Sequence, residues 1–111
     1  MTNWNTYQSC IEACLKCAAA CDHCAVSCLE EEHVNDMRRC IRLDMECSAI
    51  CATAARLTSL NSERIAQQCT ICADICDACA AECGKHDNDH CRMCAEQCRQ
   101  CAAECRKMNN H

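Results

Sequence analysis

Proline and phenylalanine are absent from this chain of 111 residues, glycine occurs once, and Trp4 and Tyr7 are the only aromatic residues. With so little turn chemistry, a β-rich or loop-rich fold is excluded and the chain should be nearly all helix. Leucine, isoleucine and valine are also scarce, so an ordinary apolar core would be marginal at this size. Basic clusters are missing and the net charge is -5, which argues against nucleic acid as a partner. No segment has the length and hydropathy of a membrane span, so no membrane partner is expected. Residues Met1 to Gln8 show no basic start followed by an apolar stretch, and the chain is therefore expected to stay in the reducing cytoplasm.

What the chain has in quantity is cysteine, 19 residues in all. Such a content usually marks a secreted disulfide scaffold. Three observations oppose that reading: no export signal is seen, the count is odd, and neighbouring cysteines stand three or four residues apart. On a helix, that spacing puts side chains beside one another on one face rather than opposed for bridging. Reduced thiols that bind metal are the better reading.

The cysteines form four groups: Cys10, Cys14, Cys17, Cys21, Cys24 and Cys28; Cys40, Cys47 and Cys51; Cys69, Cys72, Cys76, Cys79 and Cys83; and Cys91, Cys94, Cys98, Cys101 and Cys105. Apart from the interval of seven between Cys40 and Cys47, spacings alternate between three and four. This is the inward-facing seam of a heptad repeat. Breaks fall at residues 31–35, 58–62 and 84–88. Gly84 suits a left-handed position past a helix end, and Asn35, Ser62 and Asp87 or Asn88 suit N-caps. Helices are expected over about 6–31, 35–59, 62–83 and 88–108, as one all-α domain spanning 1–111. Short connections predict an antiparallel up-down-up-down four-helix bundle with a cysteine-lined core. Extending each heptad places Tyr7, Met37, Asp44, Ala54, Ile65 and Met108 on inner faces, while Ile11, Leu15, Ile41, Leu43, Ile50, Leu57, Ile71 and Ile75 flank the seams.

Pairing each cysteine with the one four residues on gives eight Cys-x-x-x-Cys units, with Cys40, Cys69 and Cys91 left over. Side chains at this spacing lie about 5 to 6 Å apart at Cβ, so two thiolates can turn to one ion without bending the helix. Thiolate selects copper(I), zinc or iron-sulfur clusters. Structural zinc motifs place cysteines on turns, whereas these lie within helices. Roughly four zinc-tetrathiolate sites would also bury a charge of about -8, which desolvation disfavours. One copper(I) per thiolate leaves the core neutral. Iron-sulfur clusters use compact loops, as in the ferredoxin run ending in Cys-Pro, and this chain has no proline. Multiple copper(I) ions per chain are therefore the expected cargo.

In an up-down-up-down bundle the first and third connections share one end, which gathers His33, Met37, His86 and His90 at a mouth. His33, His86 and His90 are candidate metal ligands there, positioned to hand ions to Cys28, Cys40, Cys83 and Cys91; as loop residues they equally suit surface or capping roles. His23 points about 200° around the helix from Cys21 and reads as a surface residue. Asp44 takes a core position where a cysteine would complete the second run. It can accept hydrogen bonds from thiols, pair with an arginine, or ligate weakly. Tyr7 and Met108 at the other end suit an apolar plug.

The strings Cys10-Ile11-Glu12-Ala13-Cys14, Cys40-Ile41-Arg42-Leu43-Asp44 through Glu46-Cys47, Cys72-Ala73-Asp74-Ile75-Cys76 and Glu82-Cys83-Gly84-Lys85-His86-Asp87 resemble the cytosolic branch of the bacterial copper storage proteins. The resemblance runs along nearly the whole chain. It implies copper(I) held in the bundle by thiolates that bridge neighbouring ions, mostly through Cys-x-x-x-Cys pairs, with all 19 cysteines lining the store. It also implies a homotetramer and a His-bearing end like the mouth placed at His33, His86 and His90. Copper chaperones are candidate partners.

Two other classes compete. A zinc or mixed-metal buffer of the metallothionein kind predicts tetrahedral sites and far fewer ions than thiols. A thiol redox enzyme would need one cysteine activated by a helix N-terminus or a basic neighbour, and no residue stands out in that way. No catalytic role is expected.

Overall fold

A cysteine at every third or fourth position gives each helix one stripe of small, weakly apolar side chains, and burial follows that stripe. The computed structural model describes residues 4–108. They form α1 (Trp4–Leu29), α2 (Arg38–Ser59), α3 (Ile65–Cys83) and α4 (Asp89–Lys107), with a short 3-10 helix, Val34–Met37, leading into α2. Each helix packs on its two neighbours in a square, α1 on α2 and α4, and α3 on α2 and α4. Sulfur contacts fix the directions: Cys17 meets Cys47 while Cys28 meets Cys40, and Cys51 meets Cys72 while Cys40 meets Cys83. Rising numbers on one helix meet falling numbers on the next, as in an up-down bundle.

All 19 cysteines are fully buried. Beside them lie Ala25, Ala55, Ala73, Ala80, Ala95 and Ala102, also buried, so small residues occupy both the seam and its flank. The helices therefore approach closely, and the bundle is a rod of 49 × 18 × 17 Å. Reduced cysteine packs as a small hydrophobe, which lets a core without phenylalanine exclude water. Met37, Asp44, Ala54, Ile65 and Met108 are buried where the heptads place them, and Tyr7 is half-buried against the core. Of the flanking apolar residues, Leu43 is buried and Ile11, Ile41, Ile50 and Ile75 pack on the core, whereas Leu15 and Ile71 are left about half exposed.

Helix ends differ from the sequence reading by a few residues, each for a local reason. α1 stops at Leu29 rather than 31: three glutamates, Glu30 to Glu32, oppose the negative end of the helix dipole. There the amides of Glu30 and Glu31 fall back on the Ser27 and Cys28 carbonyls. Asn35 lies inside the 3-10 turn instead of capping α2. Ser62 accepts a hydrogen bond from the Arg64 amide, 3.0 Å; this local turn competes with helix and delays α3 to Ile65. Asn88 is the N-cap of α4 with extended backbone, and its side chain makes no capping bond. Gly84 is not left-handed; its φ is -65°. Its lack of a side chain instead relieves crowding, since a Cβ there would lie 3.0 Å from the Ala80 carbonyl oxygen. Among the described residues the left-handed one is Asn61, φ 54°, in the connection between α2 and α3.

Candidate metal centre

Because α1, α2, α3 and α4 each turn a cysteine stripe inward, the bundle interior is a column of sulfur. Neighbouring Sγ atoms lie 3.6–4.0 Å apart along most of it, as between Cys101 and Cys14, Cys47 and Cys76, or Cys24 and Cys40. Metal–sulfur bonds of about 2.3 Å set two thiolates on one ion about 3.8 Å apart at a tetrahedral angle and about 4.6 Å apart when linear. The sulfurs of the column therefore stand near the separation that a shared ion requires.

The thiols gather into groups of four whose ligand atoms all lie within 4.8 Å of one another: Cys14, Cys72, Cys101 and Cys105; Cys17, Cys51, Cys76 and Cys101; Cys17, Cys21, Cys47 and Cys98; Cys21, Cys79, Cys94 and Cys98; and Cys24, Cys28, Cys40 and Cys91. Cys17, Cys21, Cys98 and Cys101 each belong to two of these groups. Discrete zinc sites need separate sets of ligands, whereas shared sulfurs suit a continuous network in which one thiolate bridges two ions. At the end nearest Tyr7, Cys10, Cys69 and Cys105 are close enough to perturb one another's ionisation; Met108 and Ile65 are also buried in the core. The Tyr7 hydroxyl donates to Asn61 Oδ1 at 3.1 Å, tying α1 to the α2–α3 connection.

Asp44 interrupts the sulfur column from α2. Its Oδ1 accepts from the thiols of Cys79, Cys94 and Cys83 at 3.2, 3.3 and 3.4 Å, and its Oδ2 from Cys40 at 3.7 Å. Of the roles open to it from sequence, accepting thiol hydrogen bonds is the one the structure displays. Burial pushes its carboxyl up to about 10, so the group is a neutral acid at pH 7. Burial likewise holds Cys91 up at about 12 and raises Cys28. For Cys91 and Cys28, capture by an ion therefore requires that a proton leave the core.

The mouth brings the three candidate histidines near one another but gives them different neighbours. His90, at the start of α4, turns Nδ1 to Cys24 and Cys91, 3.5 Å each, and to Cys28 at 4.0 Å. Its Nε2 lies 2.8 Å from Glu31 Oε2. His86 pairs through Nε2 with Glu82 Oε2 at 3.1 Å. His33 is exposed on the rim of an open recess that also includes Met37, His86 and Asp87. His23 is exposed on α1.

Two carboxylates of the mouth escaped the sequence reading. Glu82 is buried and gathers Arg39, Lys85 and His86 at 3.3, 3.5 and 3.1 Å. Glu31 holds His90. A signal for Glu31 was present, since it stands three residues past Cys28 and so continues the stripe of Cys21, Cys24 and Cys28. For Glu82, next to Cys83 and off the seam, no sequence signal existed.

Compared with known proteins, the sequence matches the copper storage protein family over residues 3–110. The chain belongs to that family. A copper(I)-bound copper storage protein, BsCsp3, superposes with a TM-score of 0.90 at 49% identity, covering 94% of this chain and 98% of that one. A cytosolic copper storage protein from Streptomyces lividans, solved with five coppers, gives a TM-score of 0.95 at 37% identity and covers 99% of this chain and 97% of its own. A Bacillus subtilis protein described as the uncharacterized cysteine-rich protein YhjQ is 50% identical over 83 residues, 75% of this chain and 77% of that one. Among copper storage proteins the sulfur column has a plain meaning: multiple copper(I) ions are held in thiolate clusters inside the bundle, and the function is storage rather than catalysis. Among the described residues no helix is long and apolar enough to cross a membrane.

Proposed function

We propose that this chain is a cytosolic copper(I) store that fills from the His90 end, each of its 19 cysteines serving as a bridging ligand. The overlap of the thiol tetrads carries the reading. A sulfur shared between two groups makes each occupied site half-build the next, so ions can pass along the column by exchange of thiolates without leaving it.

His90 is the residue through which ions enter. Its Nδ1 lies within 4.0 Å of the Cys24, Cys28 and Cys91 sulfurs. His33, on the exposed rim, and His86, held by Glu82, serve as outer donors that raise the local copper concentration. Anaerobic stopped-flow uptake of copper(I) tests the assignment. His90→Ala is expected to slow uptake by about tenfold or more, while His33→Ala and His86→Ala change it several-fold at most. Equal effects of all three would remove the distinction. Four bundles assemble into a homotetramer through exposed apolar side chains such as Leu15 and Ile71, a state that sedimentation reads directly. A copper chaperone is the proposed partner for delivery or withdrawal at the mouth.

A further inference from the structure

His90 can present copper with a free lone pair only if its proton sits on the other nitrogen, and the structure shows what decides this. Glu31 Oε2 lies 2.8 Å from Nε2, while Nδ1 faces the sulfurs of Cys24 and Cys91 at 3.5 Å. An ionised carboxylate only accepts hydrogen bonds. Paired with Glu31, a neutral imidazole must carry its proton on Nε2 and leave Nδ1 as the acceptor. The Glu31 backbone amide donates to the Cys28 carbonyl at 3.2 Å. Glu31 is thus carried at the end of the helix that supplies two of the four thiols in the tetrad. The His90 side chain is 13% exposed and Glu31 is 33% exposed, so the pair is partly shielded from water.

We propose that Glu31 is a positioning residue for copper uptake: it sets the tautomer and ring orientation of His90 so that Nδ1 meets each arriving ion. This inference rests on the storage reading. A carboxylate behind a metal-binding histidine fixes the ring and raises its basicity, and losing such a partner costs about ten- to a hundredfold in metal affinity.

The test uses the reduced full chain with 15N-labelled histidine. The imidazole nitrogen shifts report the His90 tautomer without copper, and their response to added copper(I) gives the midpoint for filling this site. Wild type is expected to show proton-bearing Nε2. Glu31→Ala is expected to lose that preference and to move the midpoint to about ten- to a hundredfold weaker binding. Glu31→Gln, whose amide oxygen still accepts from Nε2, should lie between them. Glu32→Ala, which removes the same charge from an exposed neighbour, should leave both readouts at wild-type values. An unchanged tautomer and midpoint in Glu31→Ala would overturn the proposal, as would an equal shift of the midpoint in Glu32→Ala. The tautomer needs no copper, so it decides the role of Glu31 even if total copper capacity were to contradict storage.

Discussion

Asp44 is the residue at which this core departs from a simple column of thiols. Its carboxyl has a folded value of about 10 against an ordinary 3.8. Folding therefore takes up a proton between those limits. The group's favourable contribution is complete below about pH 4, declines across the interval, and is gone once the pH passes about 10. A difference of one proton makes that decline about 1.4 kcal/mol per pH unit. Asp44→Asn removes the titration. Between pH 5 and pH 7, where the thiols of the unfolded chain are still protonated, the wild-type apo protein should lose about 3 kcal/mol relative to the variant. Anaerobic urea unfolding at the two pH values checks this, and parallel pH dependence in the two proteins would contradict it. The sequence made the burial of Asp44 readable, because the interval of seven between Cys40 and Cys47 leaves one seam position to fill. It left its partner open among thiols, arginine and metal, since that choice depends on α3 and α4, which bring Cys79, Cys83 and Cys94 to it.

At the scale of the helix, the alternation of three and four was enough to name every inward cysteine, because the heptad is a property of one stretch of sequence; buried Thr58 and Glu82 were not named by it. Helix ends were less legible. The delay of α3 to Ile65 turns on a single Ser62 hydrogen bond, and the right-handed conformation of Gly84 reverses the usual meaning of a glycine at a helix end. The mouth was legible as a place but not as a set of contacts: His90 and His86 are four residues apart, yet one faces sulfur and the other Glu82. The same logic of stripes predicts what each helix contributes to the store. Cys72 and Cys76 form one Cys-x-x-x-Cys pair on α3, touching Cys51 at 3.7 Å each. Replacing both by serine removes two soft ligands while keeping small side chains. Copper capacity should fall by about two ions with helical content preserved. Metal analysis beside circular dichroism checks both, and undiminished capacity would show that these thiols are not ligands.

For the whole molecule, storage requires a cavity that exists before its contents arrive. The thiols are buried side by side, and reduced cysteine is an adequate hydrophobe. The apo protein is therefore expected to be helical in the absence of metal; a coil by circular dichroism would refute that. Loading should then proceed at nearly constant helical content while it releases protons, and it should weaken as the pH falls.

The central claim is that the whole column, rather than a few isolated sites, holds copper. Anaerobic titration of the fully reduced protein with copper(I), against a calibrated competing chelator, counts tightly bound ions per chain. Bridging by shared sulfurs predicts a plateau near one ion per cysteine, of which the chain has 19. A plateau below about half the number of thiols, or preferential retention of zinc at about four ions, would contradict it.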